Sequence, residues 1–138
     1  MMQQLNRFSR FWYRPSLGLL IIRAATGFIF LHHGYMKLQD LGGVMGFMGM
    51  IGLPGYMAYA ITFVELVGGA MLVLGVAVRA AAVATGIAML VALALVVIPK
   101  AGFLGGEFEI LLAAVSFGLA LAGAGRLRLV HVFEHDKE

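Results

Sequence analysis

Four nitrogen-bearing side chains fall inside one apolar stretch, RAATGFIFLHHGYMKL, at residues 23–38: Arg23, His32, His33 and Lys37. Carboxylates that could answer them are sparse. Glu65 stands in FVELVGG, and Glu107 and Glu109 stand two apart in GGEFEI. A histidine titrates near neutral pH and can pass a proton to or from a carboxylate, while a lysine can donate a hydrogen bond to a carbonyl or hydroxyl oxygen. Histidine, lysine and carboxylate brought together could therefore bind a small oxygen-bearing molecule and exchange protons with it. Other chemistries find little support. The absence of cysteine excludes thiolate-bound zinc, cysteine-ligated iron–sulfur clusters and thiol relays. His32 and His33 are neighbours on one segment, which does not make a bis-histidine haem site, and no phosphate-binding or nucleophile-elbow motif occurs. A metal held by His33, Glu107 and Glu109 is geometrically conceivable but is not expected, nor is haem or a nucleotide.

The surroundings make these residues expensive to keep. Of 138 residues 62% are hydrophobic and 12% charged, and the mean hydropathy is +0.96. A soluble domain needs more charge on its surface, so the composition points to an integral membrane protein with one domain. An ionisable side chain inside a bilayer costs about 2.5–3.5 kcal/mol, so it persists where it is paired or functional. Four stretches are long enough to cross, at about 16–38, 55–78, 80–98 and 107–123. The expected fold class is all-α, a four-helix membrane bundle. Arg7, Arg10, Arg14, Arg79, Arg126, Arg128 and Lys137 then share one side, against Lys37 and Lys100 on the other. That asymmetry puts both termini in the cytoplasm. Residues 1–15 read as an interfacial anchor, with Phe8, Phe11, Trp12 and Tyr13 beside the arginines, rather than as a cleaved leader. Residues 124–138 read as a cytoplasmic tail. No interleaving of aromatic and basic residues suggests a nucleic-acid partner; the expected environment is the lipid bilayer.

The helices must position the polar residues. At about 100° per residue, Arg23, Gly27, Phe30, Gly34 and Lys37 share one stripe of the first span, with His33 at its border and His32 turned away. Counting depth from the ends of each span pairs Arg23 with Glu65 toward mid-membrane, an ion pair that either fixes helix register or has a role of its own. The same count sets His33 and Lys37 level with Glu107 and Glu109 near the outer face. Between spans one and two, glycines recur every third residue from Gly43 to Gly55 among Met and Phe. A short re-entrant or interfacial helix ended by LPG fits this better than a loose loop. Ala80, Ala84, Ala88 and Ala92, and again Ala114, Gly118 and Ala122, form small-residue stripes that would let helices approach closely.

The ordered set RAATGFIFLHHGYMKL, GLP, ELVGGAMLVLG followed by RAAA, and GGEFEILL followed by GAGRLRL resembles the DoxX family of small bacterial four-span proteins over roughly residues 16–129. Its helix-one arginine matches Arg23, its H-G-x-x-K matches His33, Gly34 and Lys37, and its helix-two glutamate matches Glu65. The glycine pair matches Gly68 and Gly69, and the late glutamate matches Glu109. The tail departs from the family pattern, because GAGRLRLV lacks the serine and aspartate that members often carry. The resemblance implies a bacterial cytoplasmic-membrane protein linked to quinone or respiratory redox chemistry and to oxidative stress.

The expected function is a redox accessory subunit that binds quinone or quinol near the outer leaflet and works with a partner oxidoreductase. His33 and Lys37, with Phe30, would hold the ligand; Glu109, helped by Glu107, would exchange its proton. Arg23–Glu65 would set the bundle, and Gly34, Gly68 and Gly69 would allow close packing. The alternatives are a non-enzymatic anchor or assembly partner of a redox complex, and a carrier of small molecules or lipids. A homo-oligomer is compatible with either.

Overall fold

The computed structural model describes residues 14–128; the aromatic and basic N-terminal segment up to residue 13 and the tail from residue 129, with His131, His135 and Lys137, lie outside them. The described residues are helical and contain four helices long and apolar enough to cross a membrane.

Helix α1 runs over Pro15–Gln39. Proline fits its first turn because the missing N–H would have no helical partner there. At about 1.5 Å per residue α1 is roughly 37 Å long, enough to cross a bilayer with some tilt. It stops at Asp40, whose carboxylate accepts the Gly43 N–H at 2.9 Å and so starts α2, Leu41–Met50. The glycine- and methionine-rich segment is therefore a ten-residue helix. It closes on Gly52 at φ +80°, where the Leu53 N–H reaches back to the Met48 carbonyl at 2.9 Å. Both the left-handed glycine and that back-bond belong to a Schellman stop, and Pro54 then prevents continuation.

Helix α3, Met57–Leu74, ends the same way on Gly75, and Ala77 at φ +42° completes a tight turn into α4, Val78–Ala92. The third span continues through a π-helical stretch, Leu93–Val97, and a last turn, Ile98–Ala101. Pro99 accounts for the widened turn. It has no N–H for the carbonyl one turn back, and its ring crowds that carbonyl, so the helix relaxes to i→i−5 bonding. The Ile98 N–H accordingly pairs with the Leu93 carbonyl. A 3₁₀ turn, Phe103–Gly106, leads into α5, Glu107–Ala122.

Glycine decides how α1 and α3 meet. A Cβ placed on Gly27 falls 2.6 Å from the Gly69 carbonyl oxygen, one on Gly69 falls 2.7 Å from the Gly27 oxygen, and one on Gly34 falls 2.8 Å from the Leu66 nitrogen. These are backbone contacts, which no side-chain motion can relieve. Gly68 faces the other way, toward Thr85 of α4, with its Cβ position 2.8 Å from the Thr85 methyl. The core lies along these seams, with Phe30, Leu72, Ala81, Ala82, Leu112 and Leu119 among its members.

Small residues of α5 do not all serve packing. Ala114, Gly118 and Ala122 are exposed, and a Cβ on Gly118 meets nothing within 4 Å. The buried face of α5 is instead Leu112, Ala113, Ser116 and Leu119. Spacing of four identified a stripe but not its direction, because both faces of this helix are apolar. On α4 the buried set includes Ala81, Ala82, Thr85 and Ala88, whereas Ala80 is exposed. Thr85 Oγ1 donates to the Ala81 carbonyl at 2.9 Å and lies 3.4 Å from Ser116 Oγ, a polar contact across the α4–α5 seam.

Candidate functional site

The glycine contacts set the register of the two antiparallel helices. Gly27 meets Gly69 and Val73, and Gly34 meets Leu66 and Glu65, so residues of α1 and α3 at one level have numbers that sum to about 100. Glu65 thus lies level with residue 35, about 18 Å from the level of Arg23 at 1.5 Å per residue. The expected Arg23–Glu65 pair does not form. The depth count missed because α3 begins beyond the end of α1, displaced outward by α2 and its links.

Glu65 pairs with Lys37 instead. Lys37 Nζ donates to Glu65 Oε1 at 2.6 Å and to Oε2 at 2.5 Å, with the Glu65 side chain 1% and the Lys37 side chain 27% exposed. One ammonium spans both carboxylate oxygens, and the pair as a whole is neutral, which lowers the cost of holding charge in an apolar surrounding. Arg23, itself buried, reaches the opposite end of the bundle. Its Nη1 donates to the Ala124 carbonyl at 2.7 Å and its Nη2 to the Leu127 carbonyl at 2.8 Å. A Cβ on Gly75 would lie 2.7 Å from Nη1, so the glycine of the α3–α4 turn makes room for the guanidinium. Arg23 therefore ties the segment after α5 to α1. Its replacement by Met should strand two carbonyls and destabilise the fold by about 3 kcal/mol. Limited proteolysis should then cut beyond residue 123 faster than in the wild type, whereas unchanged cleavage would mean that the tie carries no weight.

The Lys37–Glu65 pair forms the polar end of a cavity of about 790 Å³ between α1, α2, α3, α4 and the start of α5. His33, Asp40 and Glu109 also line it, and its remaining walls are largely apolar. His33 is exposed at this wall and stacks on Phe108, with ring centroids 5.8 Å apart and planes 23° from parallel. Phe30 is fully buried and closes the wall below. Helix α2 contributes Phe47 and Met48 as a cover. Lys100, from the end of the third span, sits 4.8 Å from the Phe47 ring centroid and holds that cover by a cation–π contact.

Of the expected site residues, His33, Lys37, Phe30 and Glu109 converge on this cavity, and Glu65 joins them. Glu107 does not. It is exposed at the first position of α5 and outside the cavity lining, because the two carboxylates stand two apart and a helix turns such residues through about 200°. His32 is exposed and meets His33 edge to face. Three wall features were not anticipated. Asp40 caps α2, a role that its place before Leu-Gly-Gly could have signalled. Phe108 needed the register of α5, and the π-helical wall at Leu95, Val96 and Val97 could have been sought from Pro99.

Comparison with known proteins places these residues in a lineage. The sequence model of the DoxX family matches residues 18–98, a segment that contains His33, Lys37 and Glu65. The chain belongs to the DoxX family. The DoxX segment covers the first three spans and stops within the π-helical third, so Phe108 and Glu109 are contributed from outside it. The chain is also similar to a Bacillus subtilis (strain 168) protein named "Putative oxidoreductase CatD", 41% identical over 114 residues, which are 82% of this chain and 84% of that protein. No solved structure matches.

Proposed function

We propose that this DoxX-family protein is a quinone- or quinol-binding redox accessory of the bacterial cytoplasmic membrane, working with a partner oxidoreductase. The observation that carries the reading is the neutral Lys37–Glu65 pair at the polar end of a large, apolar-walled cavity. A flat apolar ring with two opposed oxygens needs apolar walls, aromatic faces and a few polar groups at one end. His33 on Phe108 and the rings of Phe30 and Phe47 supply the faces. Lys37 and His33 can donate to a carbonyl oxygen; Glu109 can accept from a hydroxyl. A bound quinone would supply two-electron, two-proton redox capacity, and the electrons would pass to or from the partner, since electron-carrying cofactors rather than side chains do that chemistry. The relative's name, an oxidoreductase, supports the redox class. Among the described residues Arg14, Arg79, Arg126 and Arg128 gather at the end where α1 starts and α5 stops, and Lys37 and Lys100 at the other. That distribution supports cytoplasmic termini and a cavity toward the outer leaflet.

The test is extraction of the full chain from its membrane with assay of co-purified quinone, followed by titration with a short-chain benzoquinone. Binding should weaken about tenfold in His33→Ala and in Glu109→Gln, each removing one charge- or ring-assisted contact. Absence of benzoquinone binding at millimolar concentration would end the reading. A stoichiometric protein partner without quinone would then favour an assembly role, and ligand flux across proteoliposomes without redox change would favour a carrier.

A further inference from the structure

Glu65 is the most deeply buried carboxylate of the cavity wall, and the quinone reading as framed from the sequence gave it no chemical task. We propose that Lys37 and Glu65 form the proton-exchange centre of the cavity, with Glu65 taking the proton of a bound phenolic hydroxyl as Lys37 swings from the carboxylate to the resulting phenolate. The inference rests on the quinone reading and narrows its ligand to a phenol or quinol.

Charge balance makes the case. The free centre holds one ammonium and one carboxylate and is neutral. In the exchange the ligand O–H bond breaks and an O–H bond forms on Glu65. The ligand goes from neutral to −1, Glu65 from −1 to neutral, and Lys37 stays +1. The centre is neutral before and after, so the exchange adds no net charge to the cavity, where burying one would be costly. No electron moves in this step and no further reactant is needed. Both carboxylate oxygens are held by one flexible donor, Lys37 Nζ. A single rotation therefore frees the carboxylate and delivers the ammonium, because lysine is a compact charge on a long stem.

The chemistry selects its ligand. A phenolic hydroxyl ionises near pH 10 in water, far nearer to a carboxyl than an aliphatic alcohol does, and the ammonium released by the carboxylate keeps the resulting phenolate paired. An aliphatic alcohol is far too weak an acid for that, so sugars and lipid alcohols are excluded as exchanging ligands. The neighbours of Glu65 do not supply an alternative cation of fixed charge. Helix α1 presents His33 and Lys37, its link to α2 presents Asp40, α5 presents Glu109, and α4 brings only uncharged residues such as Ala84 and Ala88 to the cavity. Glu109 lies at the wall without being the ammonium's partner, which leaves it to orient a second hydroxyl.

Proton counting tests the assignment. The full chain in nanodiscs of phosphatidylethanolamine and phosphatidylglycerol is titrated with 4-nitrophenol, whose phenolate absorbs visibly, at several pH values below its own ionisation. In the wild type the bound probe should show the phenolate band, yet its affinity should stay level with pH, because the proton remains on Glu65. In Glu65→Gln the band should persist, but affinity should fall about tenfold for each pH unit lowered, since the proton must now leave to solvent. In Lys37→Met the band should vanish. A wild type that binds only neutral phenol, binds no probe, or shows the tenfold slope overturns the Glu65 assignment, and this holds even if the variants fail to fold. Displacement by benzoquinone is read separately: a probe that exchanges its proton but is not displaced would sink the quinone reading while leaving the proton exchange in place.

Discussion

Lys37→Met should destabilise the bundle by about 3 kcal/mol, and the double variant Lys37→Met, Glu65→Met should recover most of that loss. Removing one partner of a buried pair leaves the other charge uncompensated, a cost of about 3–5 kcal/mol, whereas replacing both with apolar groups of similar volume is often neutral. The lower figure applies because the Lys37 side chain is 27% exposed and partly screened. The measurement is a double-mutant cycle by denaturant unfolding in micelles. If the losses in Lys37→Met and Glu65→Met simply add up to the loss in the double variant, the two side chains are not coupled and the 2.5–2.6 Å contacts carry no energy. The same cycle bears on function, because a pair retained for stability alone should cost stability when both members are replaced by apolar groups. A double variant that is as stable as wild type yet fails to bind benzoquinone would assign the pair to ligand chemistry.

Gly69→Ala should be strongly damaging, at about 3 kcal/mol, against less than about 0.5 kcal/mol for Gly118→Ala. The added carbon at Gly69 would sit 2.7 Å from the Gly27 oxygen and 2.7 Å from the Leu31 nitrogen. Backbone cannot turn aside, so α1 and α3 would have to separate. The same carbon at Gly118 meets nothing within 4 Å and faces outward. Separation at Gly69 would also shift α1 against α3 at the level of Lys37 and Glu65, so ligand binding should fall with stability. Unfolding midpoints of the two variants in the same detergent check the contrast. Equal midpoints would mean that the α1–α3 contact is looser than these distances imply.

Both effects follow from one design. In lipid there is no hydrophobic drive to hold helices together, so close backbone approach and a few paired polar groups must do it. Glycine notches bring α1 against α3, and the resulting register decides which polar residues can meet. The cavity then opens where the notches end, between the last turns of α1 and the cover formed by α2. The π-helical stretch before Pro99 shapes its far wall.

The class of this protein was legible in the sequence because composition and hydropathy act locally. Uninterrupted apolar runs dictate membrane helices, the Gly-Pro punctuation marks their stops, and the glycines of α1 and α3 announce a close crossing. His33, Phe30, Lys37 and Glu109 could be named as one site because helical periodicity puts the first three near one face and the fourth begins a facing span. The partnership of the charges was not legible. It depends on the offset between two antiparallel helices, and that offset is set by how far the capped helix α2 displaces the start of α3, a length that no local pattern encodes. One wrong level moved Glu65 from Lys37 to Arg23 and hid the tie between Arg23 and the carbonyls beyond α5. Likewise Ala114, Gly118 and Ala122 were visible as a stripe, but a helix apolar on every side gives no sign of which face turns inward. Only packing could decide that, because in an apolar medium hydrophobicity no longer distinguishes core from surface, and direction is left to contacts between residues far apart in the chain.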